Sequence, residues 1–210
     1  MAGEALSLTD DGVEAIGRWL GSLALPGVAV GLRRIDPRDV ELLHPIELEH
    51  VRGAAEVRRA EFSTGRRLLR TLLGDDGPIP VGVHRAPVLP AGAVASLAHD
   101  CDVAVAAAST ATVVRALGID VEPAVPIAAD VAALILREDE RGIDPGVAFS
   151  LKEAAYKAWR TLGGRLLDHG DVRITLDGSH YAAQVLPGGI VLHGRWATLH
   201  GRYLALVQVS

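Results

Sequence analysis

Apolar residues recur at helical spacing over residues 11–23, where Val13, Ile16 and Leu20 share a face, and predict a short amphipathic helix. A strand is expected over 28–32, then turns and a short helix around Pro37 and Pro45. The longest periodic stretch covers 47–73. There Val51, Ala55, Phe62, Leu69 and Leu73 recur at intervals of four and seven and form one stripe, with Arg59, Arg66 and Arg70 on the strip beside it. Gly65 predicts a break or kink near Ser63. Residues 74–92 hold four prolines and four glycines, which excludes a long helix. Two short strand-like runs follow in 94–108, around His99-Asp100, and a strand over 117–122 ends at Pro123 and Pro126. Residues 127–141 and 150–162 read as helices, the second ended by Gly163-Gly164. Residues 172–209 read as strands joined by turns at Asp177-Gly178, Pro187-Gly188-Gly189 and His200-Gly201. Helices followed by short strands in both halves predict an α+β fold. A division near Gly118 would give subdomains of similar size, 1–117 and 118–210.

Composition narrows the class. With 49% hydrophobic and 22% charged residues in 210, the chain is expected to fold around a real core. No apolar run reaches bilayer length, so no membrane span is expected. The start, Met1-Ala2-Gly3-Glu4, lacks the basic end and apolar stretch of a signal peptide. Cys101 is the only cysteine, so no intrachain disulfide is expected, and cytoplasm is the default compartment. A net charge of −5 argues against a nucleic-acid partner. Yet six arginines lie between Arg52 and Arg70, which makes room for a local anion site.

Four elements carry candidate chemistry. In Leu117-Gly118-Ile119-Asp120-Val121-Glu122, strand alternation turns Ile119 and Val121 to one side and Asp120 and Glu122 to the other. Two carboxylates about 4 Å apart repel by roughly 4 kcal/mol at an effective dielectric near 20. A hard divalent cation such as Mg2+ reverses that sign. A solvated edge strand is the plainer account of the pair alone. In Phe149-Ser150-Leu151-Lys152-Glu153-Ala154-Ala155-Tyr156-Lys157, Glu153 and Lys157 lie one helical turn apart, flanked by Lys152 and Tyr156. Ser150 and Glu153 equally fit a capping box. In Arg58-Arg59-Ala60-Glu61-Phe62-Ser63-Thr64-Gly65-Arg66, the arginine forks suit phosphate, and Arg58 projects into the apolar sector near Phe62. A solvated basic face explains it as well. Ala95-Ser96-Leu97-Ala98-His99 supplies a histidine for a phosphate oxygen, or an ordinary structural one.

In this order the four elements resemble the 4′-phosphopantetheinyl transferases of the surfactin and enterobactin synthetase type. That family carries a GxD-x-E strand followed by a W/F-S/C-x-K-E-x-x-x-K helix, matched here by Gly118–Glu122 and Phe149–Lys157. Arg58-Arg59-Ala60-Glu61-Phe62 with Gly65-Arg66 is similar to the enterobactin-type R-R-x-E-F-x-x-G-R stretch, and Ala95–His99 to its G-S-[LI]-[TS]-H stretch. Tyr156-Lys157-Ala158-Trp159, Gly164-Arg165-Leu166-Leu167-Asp168 and Gly194-Arg195-Trp196 resemble the actinobacterial versions. The likeness runs from about Val51 to the end.

The resemblance implies two similar α/β halves related by a pseudo-twofold, with coenzyme A in the cleft between them. Asp120, Glu122 and Glu153 would hold Mg2+, with Mn2+ an alternative. Lys152, Lys157 and His99 would contact phosphates, Arg58 and Arg66 the 3′-phosphate end, and Ser96 would add a hydrogen bond. Lys152 and Lys157 would stabilise developing charge. Glu153, then Glu122, then Glu140, are the candidates to activate a serine of an acyl or peptidyl carrier protein. Arg137 and Arg141 lie in the expected docking stretch for that acidic partner. A monomer is implied, since one chain supplies both halves of the site. Three positions depart from the family: Ala95 replaces the usual glycine, a common tryptophan is replaced near Leu89, and a cofactor-binding lysine expected before Pro87 is missing, with His84 or Arg85 as its substitute. A Mg2+-dependent phosphohydrolase and a non-catalytic coenzyme A-binding homologue are the alternatives.

Overall fold

A computed structural model describes residues 7–100 and 102–210, with residue 84 described in its backbone alone. Met1–Glu4, Cys101 and the His84 side chain therefore lie outside the described residues. The elements are helices α1 (Asp10–Ser22), α2 (Pro45–Val51), α3 (Glu56–Leu73), α4 (Ala129–Ile135) and α5 (Pro145–Thr161), and strands β1 (Ala29–Arg34), β2 (Val94–Asp100), β3 (Val103–Ser109), β4 (Ala116–Pro123), β5 (Val172–Asp177), β6 (His180–Val185), β7 (Val191–Leu199) and β8 (Arg202–Val209).

The strands form two antiparallel sheets, β1-β3-β2 and β4-β8-β7-β6-β5. The fold is α+β, and each sheet carries the longest helix of its half. Helix α3 lies on β3, and α5 lies on β4 and β8. Strand β3 is buried along its whole length because both its faces are covered. Ala104 and Ala106 meet Leu68 and Leu69 of α3. Val103, Val105 and Ala107 join Ile16 and Leu20 of α1 with Leu117, Ile119, Val121, Leu204 and Leu206 of the larger sheet. A second core sets Ala154, Ala155 and Ala158 of α5 against Ala116, Ala205 and Val207. Strand β4 thus alternates as its sequence predicts. Its branched residues face the first sheet, and Gly118 and Asp120 face α5.

Gly118 makes that second contact possible. A Cβ there would stand 1.8 Å from the Ala154 carbonyl oxygen, so only glycine lets α5 approach this closely. Ser96 ties the sheets together from β2, its hydroxyl accepting from the Ile119 amide at 2.9 Å.

Several boundaries differ from the sequence-based reading. Residues 47–73 form two helices, broken at 52–55, while Gly65 continues through α3 because the Leu97 side chain packs where its Cβ would be. The break follows Gly53 instead, and α3 stops at Gly74 in a left-handed conformation, φ 63. Residues 127–141 hold only the short α4 and a 3₁₀ turn, Glu138–Glu140. Helix α5 begins five residues before Ser150, at Pro145. Asp144 is its cap, accepting from the amides of Gly146 and Val147 at 2.9 and 3.2 Å. Ser150 is consequently buried mid-helix, and the capping box with Glu153 is not formed.

Candidate active site

Helix α5 crosses β4 so that Lys157 reaches Asp120. Its Nζ donates to Asp120 Oδ1 at 2.7 Å and to the Ile119 carbonyl at 3.0 Å. Asp120 is 3% exposed, and its Oδ2 is buried without a hydrogen-bond partner. Burial raises the pKa of this carboxyl above its ordinary value, while the Lys157 ammonium and the nearby Ser150 hydroxyl pull it down and the Glu153 carboxylate adds to the rise; among the described residues the Ser150 hydroxyl itself makes no hydrogen bond of ordinary geometry. Two positions on, Glu122 makes no hydrogen bond or ion pair among the described residues. Burial first, and then the charge of Asp120, push its pKa up to about 7. Glu153, one turn before Lys157, stays partly open, with Oε1 3.5 Å from His169 Nε2.

Three acids thus act on one another electrostatically, with one ammonium among them. Among the described residues no three His, Cys, Asp or Glu side chains are already drawn together as a metal cage. The donor set nevertheless fits a hard divalent cation. It offers only carboxylate oxygens, one of them, Asp120 Oδ2, is orphaned and buried, and the raised carboxyls hold repulsion that a cation would relieve.

Beside these acids opens a cleft of about 640 Å³, the size of a small-molecule site. One wall is α3 and β2, with Arg58, Glu61, Phe62, Arg66, Ser96 and His99; residues 81–87 border it; the facing wall is α5, with Tyr156, Lys157, Arg160 and Thr161. Arg58 Nη1 donates to His99 Nε2 at 2.9 Å and approaches Glu61 Oε2 at 3.4 Å. That arrangement puts the histidine proton on Nδ1, 3.6 Å from Glu61 Oε1. Burial, helped by Arg58, lowers the His99 pKa and favours the neutral ring. Arg66 is 4% exposed, donates from Nε to the Ile79 carbonyl at 2.7 Å and lies over the Phe62 ring at 4.3 Å. Burial brings its pKa down to about 10.

The structure therefore brings Arg58, Arg66, Arg85, Ser96, His99 and Lys157 together as the lining of one cleft. Asp120 adjoins it through Lys157, and Glu122 and Glu153 act on Asp120 electrostatically without lining the cleft. The structure does not bring Lys152 there. Lys152 is 1% exposed, and its Nζ donates to Glu140 at 2.6 Å and to the carbonyls of Ile135 and His169 at 2.8 and 3.0 Å. The expectation that Lys152 contacts a phosphate is corrected, because the ammonium is sealed in a closed structural network. Glu140 is corrected with it. It is fully buried, accepts from Lys152 and from the amides of Ile174 and Arg137, and has no open oxygen for a base. Ser96, expected to bond a ligand, lines the cleft; its oxygen accepts from the Ile119 amide, and its proton is left to donate. Sequence reasoning missed Glu61, the acid in the cleft lining, and Arg160. Arg160 lies on the face of α5 that bears Lys157, and the i, i+3 spacing was the signal that could have found it.

A family model described as the 4′-phosphopantetheinyl transferase N-terminal domain matches residues 47–109. The chain is 33% identical over 197 residues to the 4′-phosphopantetheinyl transferase Svp of Streptomyces mobaraensis, a match covering 81% of this chain and 80% of that protein. The chain belongs to the 4′-phosphopantetheinyl transferase family. PptT of Mycobacterium tuberculosis is 31% identical over 180 residues, covering 76% and 79%, and Npt of Nocardia iowensis 28% over 205, covering 83% and 92%. As a member of this family the protein is a transferase. Among the described residues no helix is long and apolar enough to cross a membrane.

Proposed function

We propose that this transferase moves the 4′-phosphopantetheine arm of coenzyme A to a serine of an apo acyl or peptidyl carrier protein, with Mg2+, releasing adenosine 3′,5′-bisphosphate. The observation that carries the reading is Asp120, buried with one unpartnered oxygen, held by Lys157 at the edge of a cleft lined by arginines. Asp120, Glu122 and Glu153 would hold the cation, Mg2+ or Mn2+, which supplies charge neutralisation on the pyrophosphate.

The residues of the chain then divide the work. Arg58 and Arg66 bind phosphate from the α3 wall. His99 keeps Arg58 in place through Nε2. Lys157, fixed by Asp120 and the Ile119 carbonyl, offers its remaining proton to the negative charge that develops on the leaving phosphate. Glu153, whose side chain is 30% exposed, takes the proton from the incoming serine hydroxyl. Serine Oγ bonds to the β-phosphorus, and the bridging oxygen leaves with its electron pair on adenosine 3′,5′-bisphosphate. The division at Gly118 corresponds in this reading to the two cleft walls, residues 1–117 with α3 and β2, residues 118–210 with α5. Both walls come from one chain, so a monomer suffices, and the cytoplasm, where coenzyme A and carrier proteins meet, is the expected compartment. Arg141, exposed and, among the described residues, paired with Glu138 alone, remains open to an acidic carrier, whereas Arg137 is engaged by Asp139 and the Gly170 carbonyl.

Intact-mass measurement of several apo carrier proteins after incubation with coenzyme A and Mg2+ tests the proposal. A gain of one phosphopantetheine arm on the carrier serine is expected. Release of adenosine 3′,5′-bisphosphate without any carrier would indicate a phosphohydrolase instead, and tight coenzyme A binding with no carrier modified would leave a binding homologue.

A further inference from the structure

Most arginines of this chain are neutralised by a carboxylate within 4 Å, among them Arg33, Arg67, Arg70 and Arg202. Three that have no such partner among the described residues, Arg66, Arg85 and Arg160, line the same cleft. Arg66 is buried there as a cation at the cost of desolvation. Arg85 adopts a left-handed φ of 65, an uncommon conformation for a residue with a Cβ. Arg160 sits in the last turn of α5, and among the described residues its guanidinium makes one hydrogen bond, from Nη1 to the Gly164 carbonyl at 2.5 Å, which leaves its other donors for a ligand.

Their position along the cleft says which anion they serve. Glu153, Lys157 and Arg160 follow one face of α5. At 1.5 Å rise per residue, Arg160 lies roughly 10 Å along the helix from Glu153 and one short turn beyond Lys157. A pyrophosphate at the carboxylate end is therefore served by Lys157, and Arg160 addresses a second anion further along. We propose that Arg160 is a specificity-determining residue that binds the terminal phosphomonoester of the nucleotide from the α5 wall, across the cleft from Arg66 and Arg85. This rests on the coenzyme A reading above, in which that group is the 3′-phosphate. It makes up from the second half of the chain for the cation missing before Pro87. The planar fork suits a dianionic phosphomonoester through two parallel hydrogen bonds, which lysine cannot reproduce.

The test compares wild type, Arg160→Gln and Arg160→Lys with coenzyme A and with 3′-dephospho-coenzyme A as substrates. The preference for coenzyme A, taken as the ratio of the two kcat/KM values, is expected to fall about tenfold in Arg160→Gln, the scale of a lost charge-assisted hydrogen bond, and by less in Arg160→Lys. Equal losses on both substrates would move Arg160 to the pyrophosphate and overturn the assignment, as would an unchanged ratio. Calorimetric binding of adenosine 3′,5′-bisphosphate and of adenosine 5′-monophosphate gives the same comparison without turnover. A wild type that binds the bisphosphate in preference, with the preference lost in Arg160→Gln, upholds the site even if no carrier protein is modified. A wild type that binds both nucleotides equally refutes it.

Discussion

Gly118→Ala perturbs the closest approach of strand β4 to the backbone of helix α5. The new Cβ would lie 1.8 Å from the Ala154 oxygen, 2.9 Å from the Ala154 carbonyl carbon and 3.0 Å from the Ala158 nitrogen, all of them backbone atoms. No rotamer change relieves such a clash, so the helix itself must retreat by roughly 1.2 Å before the shortest distance reaches 3 Å. Overpacking of this kind costs about 3 kcal/mol, the upper end of the usual range. For a chain of this length that lowers Tm by roughly 6–12 °C. The displaced helix carries Glu153 and Lys157, and Lys157 sits 2.7 Å from Asp120, so the site opens by about the same distance. Misplacement by about 1 Å costs on the order of a hundredfold in rate. Calorimetry of the purified variant and intact-mass transfer assays read the two effects. A Tm within about 2 °C of wild type, with transfer unimpaired, would refute the close packing of α5 on β4 and the account of the site built on it.

Three further outcomes are expected. Glu122, raised to about 7 in the folded chain from an ordinary 4.5, contributes stability that is fully present below pH 4.5 and lost as the pH rises through 7. In the presence of a chelator wild type should therefore lose about 2–3 kcal/mol relative to Glu122→Gln between pH 5 and pH 8, and Mg2+ should restore it, as read by urea unfolding; parallel pH profiles would dismiss the raised carboxyl. Glu153→Gln should abolish transfer while costing under about 1 kcal/mol, because the one ion-pair contact described for it is with a partly exposed histidine and it caps no helix; a large drop in Tm would return it to a structural role. Lys152→Met should destabilise the fold by about 3–5 kcal/mol by leaving Glu140 buried without its cation; intact stability with a raised KM for coenzyme A would instead restore Lys152 as a phosphate ligand.

Local pattern determined much of this protein. Period-two alternation in β4 separates Ile119 and Val121 from Asp120 and Glu122, and the motif spacing on β4 and α5 marks the three acids and Lys157 as candidates. The turns after Asp177 and His200 were equally legible, since glycine marks where the chain reverses. Burial was not legible, because it depends on what arrives from elsewhere in the chain. Lys152 and Lys157 share a helix and a charge, yet one is sealed against Glu140 and the other opens on the cleft, a difference set by the 3₁₀ turn at 138–140 folding under α5. The helix start at Pro145 hid behind a plausible capping pair five residues on, and Arg160 looked like any basic residue at a helix end. Spacing fixes which side chains share a face; only the packing of distant segments against that face decides where water is lost, and desolvation is what turns a charged residue into either a structural bond or a site.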